Sequence, residues 1–161
     1  MITKAQLVDG FALNTRLIQL QTKGLSHADS LTQTPYNINC MNWVLGHIAV
    51  NRDNVMRLIG VEPLLSEGES SRYKSESNPV KEDSPDILPL ERLVEILTNG
   101  QERIEAAFEA LDENRLQEEI QVGERMMPLG TRLYGFYFHD TYHTGQTDLL
   151  RQVAGMNDKI V

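Results

Sequence analysis

His139 and His143 stand four residues apart in Phe-Tyr-Phe-His-Asp-Thr-Tyr-His-Thr-Gly-Gln-Thr-Asp-Leu-Leu, the stretch from Phe136 to Leu150. At ~3.6 residues per turn, a helix brings an i, i+4 pair onto one face with neighbouring side chains. Two such imidazoles suit one chemistry above others, the holding of a metal ion about 2.0–2.1 Å from each nitrogen. Two ligands make a weak site, so the rest of the chain must supply a third. His27 and His47 are the remaining histidines. His27 lies in a polar stretch and reads as a solvent-exposed side chain. His47 sits in Asn-Trp-Val-Leu-Gly-His-Ile-Ala, one turn after Val44 and beside Ile48, at the edge of an apolar face directed inward.

An interior histidine is ordinarily a core residue with a hydrogen bond. Beside a His139/His143 pair the reading changes, because three buried imidazoles without a shared partner are costly. A histidine on one helix and an i, i+4 pair on another can present three nitrogens to one ion and leave outer positions open. The expected ligands are therefore His47, His139 and His143. Asn51 is one turn after His47 and Gln146 nearly one turn after His143. Both are candidates for supporting the ligands or touching substrate, or for bland helix-surface roles. Tyr142 lies beside the histidine face, as a third such candidate or as simple packing.

Four helices are expected to position these residues. The first runs from residue 3 to about 23, with a Thr3/Gln6 capping box, apolar Leu7, Phe11 and Ile18, and a stop at Gly24. After a loop over 25–37, the second begins near Asn37 or Asn39 and ends at Gly60, burying Met41, Val44, Leu45, Ile48 and Val55. Residues 61–89 are polar, without periodicity, and contain Pro79, Pro85 and Pro89. They read as a functional lid or as a mobile connector. The third helix covers about 90–111 despite Asn99-Gly100. A loop with Gly123 and Pro128 precedes the fourth, from about 130 to Ala154 with Gly155 at its end, and the last residues read as a loose tail.

No alternating strand pattern stands out, so the expected class is all-α, one four-helix-bundle domain over 1–161. The first and third connections leave room for a crossover. The length, 161 residues, suits one core rather than two. Net charge is -8 and the basic residues form no stripe, which argues against nucleic acid. No apolar run approaches the ~20 residues of a membrane span. The single cysteine, Cys40, rules out an internal disulfide and, with no apolar leader at the start, predicts a cytoplasmic address.

Trp43-Val44-Leu45-Gly46-His47-Ile48, the helix start at Leu129-Gly130 and His139-Asp-Thr-Tyr-His143-Thr-Gly-Gln146 together resemble the DinB/YfiT-like family, over nearly the whole chain. The resemblance implies a four-helix bundle, a divalent metal held by three histidines that map onto His47, His139 and His143, and frequent homodimers. Several members of that family are thiol-dependent transferases or isomerases that use mycothiol, bacillithiol or glutathione. Many of its members carry an acidic residue just before the first C-terminal histidine. Here that position is Phe138, and the acid is Asp140, on another face.

Competing uses of these residues fail on residue type or on spacing. A zincin site needs the Glu of His-Glu-x-x-His, where Asp140 stands. A di-iron site needs Glu three residues before each histidine, where Val44, Phe136 and Asp140 stand. Cys40 is two turns, ~10 Å, from His47 and reads as a small buried residue.

The expected function is metal-dependent thiol S-transfer, in which a divalent Zn, Ni, Fe or Mn activates a low-molecular-weight thiol for attack on an electrophilic small molecule. No catalytic side chain is assigned beyond the ligands. The alternatives are a hydrolase using metal-bound water, and a non-catalytic metal-binding or dimeric stress-related protein.

Overall fold

The computed structural model describes residues 2–160, and most of them are helical. Helix α1 spans Lys4–Thr22 and carries the expected capping box, the Thr3 hydroxyl accepting from Gln6 N–H and Gln6 Oε1 from Thr3 N–H. Its end is turned by Gly24 at φ +81°. The next stretch was expected to be loop throughout. It contains the one-turn helix α2, His27–Ser30, capped by Ser26 and Asp29.

Helix α3, Met41–Leu58, starts later than either Asn37 or Asn39. Cys40 takes the cap position without a side-chain bond, and burial of Met41 through Val50 stabilises the start instead. Helix α4, Glu67–Tyr73, is a short capped helix inside the 61–89 segment. Helix α5, Leu90–Ala110, passes unbroken through Asn99-Gly100, and Gly100 is buried facing Leu64 and Met56. A 3₁₀ turn at Glu113–Gln117 leads into strands β1, Glu119–Val122, and β2, Arg125–Pro128. These strands pair antiparallel from Glu119↔Pro128 to Val122↔Arg125, a hairpin where only loop was expected. Helix α6, Leu129–Val153, completes the chain's regular structure.

Helix α1 packs on α5 and α6, and α3 packs on the same two, so α1 and α3 lie diagonally across the assembly. Two apolar clusters are stacked along the helices. One gathers Ile18, Val44, Leu45, Ile48, Leu93, Leu97 and Leu150. The other gathers Leu7, Phe11, Val55, Met56, Ile104, Phe108, Leu129 and Leu133. Their membership gives the helix directions: α1 and α6 run one way, α3 and α5 the other. Neighbouring α3 and α5 are therefore parallel, and residues 59–89 must return the whole helix length. The crossover lies in this second connection, not in the first or third, each of which joins helix ends at the same pole.

Between the two clusters is a waist of buried polar side chains: Asn14, Thr15, Arg52, Asp53, Gln101, Asp140 and Thr144. Among the described residues no helix is long and apolar enough to cross a membrane.

Candidate metal centre

His47, on α3, faces His139 and His143, on α6, at the edge of this waist. His47 Nε2 lies 3.1 Å from His139 Nε2, which lies 3.1 Å from His143 Nε2. One ligand-capable nitrogen from each ring falls within 4.8 Å of the others.

The outer nitrogens decide what the inner ones can do. A neutral imidazole carries one N–H. His47 Nδ1 is 2.8 Å from the Tyr73 carbonyl oxygen, which only accepts, so the proton resides there. His143 Nδ1 is 2.7 Å from Gln146 Oε1, with the same consequence. Both leave a bare Nε2 lone pair directed at His139. A proton on His139 Nε2 satisfies only one of them well, whereas a cation amid the three satisfies all. A tetrahedral ion with nitrogens at 2.0–2.1 Å sets them about 3.3 Å apart, a few tenths more than the distance found here. His139 Nδ1 is buried and has no partner, so no outer bond fixes that ring.

The rings are also kept neutral, the form that binds metal. Burial holds the pKa of His139 down, to about 4, with His143 and His47 adding to the effect. Burial likewise lowers His47 and His143, opposed in each case by the hydrogen bond at Nδ1.

The 61–89 segment, expected as a lid or mobile connector, is fastened along α3 and orients His47. Asp53 accepts the Leu64 and Leu65 N–H groups at 2.9 and 3.0 Å. Further along, the Tyr73 ring lies so close on Gly46 that a Cβ there would sit 2.2 Å from it. The Tyr73 carbonyl thereby reaches His47, and its hydroxyl donates to Asn42 Oδ1 (3.1 Å) while accepting Leu88 N–H (2.7 Å). Trp43 donates to Ser77 Oγ at 2.9 Å and stacks on His47, centroids 4.7 Å apart and planes 16° apart. Leu65, Tyr73, Val80 and Ile87 are buried in the core.

Asn51 sends its amide to the His47 carbonyl at 2.9 Å and lies 3.4 Å from His47 Nε2, beside the cluster. Gln146 braces His143 as described. Tyr142 is 59% exposed and meets His143 only edge-on, centroids 5.1 Å apart. Cys40 is buried at the start of α3, where its thiol donates to Val80 O at 3.4 Å, and it takes no part in the cluster. Burial pushes that thiol's pKa up, which disfavours the thiolate. His27 is not the free surface residue expected: its Nδ1 accepts Leu90 N–H at 3.2 Å, tying α2 to the start of α5.

Sequence reasoning missed Tyr73, Gly46 and the Arg52–Asp140 pair. Gly46 gave a signal, since a glycine in mid-helix costs ~1 kcal/mol relative to Ala and marks close approach. Asp140 points away from the histidines to Arg52 Nε and Nη2, both at 2.9 Å.

No family model matches the chain, and no curated protein matches it. A solved structure does: a conserved protein from Enterococcus faecalis, described by its locus alone, is 16% identical over 96% of this chain and 98% of that one, with a TM-score of 0.73. The two share a fold.

Proposed function

We propose that the protein is a DinB/YfiT-like four-helix bundle that binds one divalent metal, Zn, Ni, Fe or Mn, and uses it to activate a low-molecular-weight thiol against an electrophilic small molecule. The observation that carries this reading is the convergence of three Nε2 atoms, two of them stripped of protons by their outer hydrogen bonds. His47, His139 and His143 hold the ion. When bound, it supplies positive charge that favours the deprotonated form of an incoming thiol at neutral pH.

The chain's own groups do the rest. Tyr73 O and Gln146 Oε1 fix the tautomers and ring planes of His47 and His143. Trp43 covers one face of His47 and keeps water from it. Asn51 offers an amide at the rim to orient a bound group. Cys40 is withheld from chemistry by its burial, so the nucleophile is brought in rather than supplied by the chain.

The metal content of tag-free protein, measured by mass spectrometry beside a His143→Ala variant, tests the centre. About one equivalent in the wild type, lost in the variant, is the expected result. No metal in either, after loading with Zn²⁺ or Ni²⁺, contradicts it.

A homodimer is part of the same reading. Tyr134, Phe138, Tyr142 and Leu149 are 48%, 65%, 59% and 59% exposed along the outer side of α6, a stripe that favours association. Phe138→Glu is expected to shift the light-scattering mass from two chains to one without loss of metal.

A further inference from the structure

Between α3 and α6, about one turn along the helices from the histidines, lies a cavity of about 370 Å³. Asn54, three residues after Asn51, and Phe136, three before His139, line its near side, and the β-hairpin lines the other with Gln121 and Val122. Arg57 and Arg132 stand at its walls. The Arg132 guanidinium lies 4.2 Å from the Phe136 ring centroid, a cation–π contact that fixes its place and leaves its N–H donors free.

Neither arginine has a carboxylate within 4.0 Å among the described residues, which is true also of Arg16, Arg103 and Arg125, whereas Arg52, Arg72, Arg92, Arg115 and Arg151 are all paired. Arg57 makes one bond, to Asn54 Oδ1 at 3.0 Å. Asp53, the acid beside it in space, directs both oxygens to Leu64 and Leu65 N–H instead. On a chain of net charge -8, most of the surface repels anions. Two unpaired guanidiniums facing one cavity reverse that locally, and Arg suits carboxylate and phosphate oxygens by its forked donors. On α6, Phe136 stands between Arg132 and His139 and supplies an apolar surface between guanidinium and histidine, while Leu58 and Val122 line the cavity elsewhere.

We infer that this cavity holds the anionic end, a carboxylate or a phosphate, of a small amphipathic substrate whose reactive end reaches the three histidines. Arg132 precedes His139 by seven residues, about 10 Å of helix, which sets the length of the molecule at roughly six to eight carbons between its ends. That the cavity serves the substrate rests on the metal reading above. That it binds an organic anion does not.

Calorimetry on the metal-free full chain separates the two. Hexanoate and hexyl phosphate are expected to bind about tenfold or more tightly than hexan-1-ol. Arg57→Gln and Arg132→Gln each remove that preference while leaving the thermal midpoint unchanged, and Arg132→Lys restores part of it. The tighter of the two anions identifies the headgroup. Equal binding of hexan-1-ol, or unaltered hexanoate binding in both variants, overturns the site.

With Co²⁺-loaded protein, the thiolate-to-cobalt absorption is expected to saturate at about tenfold lower 8-mercaptooctanoate than 8-mercaptooctan-1-ol, a gap that Arg132→Gln closes. Equal saturation overturns the cavity as a substrate subsite. Failure of cobalt to bind, with arginine-dependent hexanoate binding intact, sinks the metal reading and leaves the anion site standing.

Discussion

Two polar clusters lie between α3 and α6, and they differ in whether opposite charges are paired within them. In one, Arg52 donates to Asp140 Oδ2 through Nε and Nη2, to Thr15 Oγ1 at 2.6 Å, and to the Leu97 and Phe11 carbonyls at 3.3 Å each. Those partners lie on α6, α1 and α5, so one guanidinium on α3 ties all four long helices together. In the other, three imidazoles turn nitrogens toward one another and His139 Nδ1 has no partner. His139 and Asp140 are consecutive in sequence and serve opposite ends. The first cluster pairs opposite charges within itself, although Asp140 Oδ1 has no hydrogen-bond partner; the second gathers three neutral nitrogen donors, the set that suits a cation.

The largest effect should come from breaking the ion-paired side. Asp140→Ala leaves Arg52 charged and unpaired in the core, and denaturant unfolding should show a loss of about 3–5 kcal/mol. His143→Ala should cost far less in the metal-free protein, because it removes a group whose neighbours gain little from it. A similar loss in both would erase the distinction. Burial pushes the Asp140 carboxyl's pKa up and Arg52 opposes it, so the pair depends on both partners staying in place.

Next comes the link between the segment 59–89 and the histidines. Gly46→Ala sets a methyl 2.2 Å from the Tyr73 ring and should cost about 1–3 kcal/mol by overpacking. Because Tyr73 O orients His47, metal affinity should also fall about 10–100-fold. Unchanged affinity in a destabilised variant would separate packing from the centre.

A pH series sharpens the same link. Burial raises the Tyr73 phenol's pKa from 10.0 to about 12. The unfolded chain therefore loses that proton first, and stability present below pH 10 is lost as pH rises toward 12. Tyr73→Phe cannot ionise, so its alkaline decline should be shallower. At pH 7 it should cost about 1–3 kcal/mol, because Leu88 N–H loses its acceptor. Equal alkaline slopes would show that another group is responsible.

The smallest effect is expected at Tyr142, which is exposed and touches His143 only at its edge. In the Phe138→Glu background, where Tyr142 stays exposed, Tyr142→Ala should leave metal content unchanged and the unfolding free energy within ~0.5 kcal/mol, as surface substitutions commonly do.

The long helices and the three histidines were legible because they rest on local periodicity. His139 and His143 announce themselves at i, i+4, and His47 by its place on the apolar stripe of α3. What was hidden depends on contacts distant in the chain. Arg52 and Asp140 are 88 residues apart, and neither looks unusual alone. The bond from His47 to Tyr73 ends on a backbone carbonyl, which carries no residue-type signature. The hairpin hid for another reason: Ile120 and Val122 alternate with Glu119 and Gln121 over four residues only, too short to stand out from loop. The segment 61–89 looked loose because Ser, Glu and Lys outnumber its few anchors, Leu65, Tyr73, Val80 and Ile87. The crossover it forms follows from α3 and α5 being parallel, which helix periodicity does not encode.

The central claim is that three imidazoles converge on one cation. X-ray absorption at the metal edge, on protein purified without a histidine tag and loaded with one equivalent of Zn²⁺, addresses it most directly. The account predicts about three imidazole nitrogens at 2.0–2.1 Å, falling to two in His47→Ala. A shell with fewer than two imidazoles, or one unchanged in that variant, would contradict it.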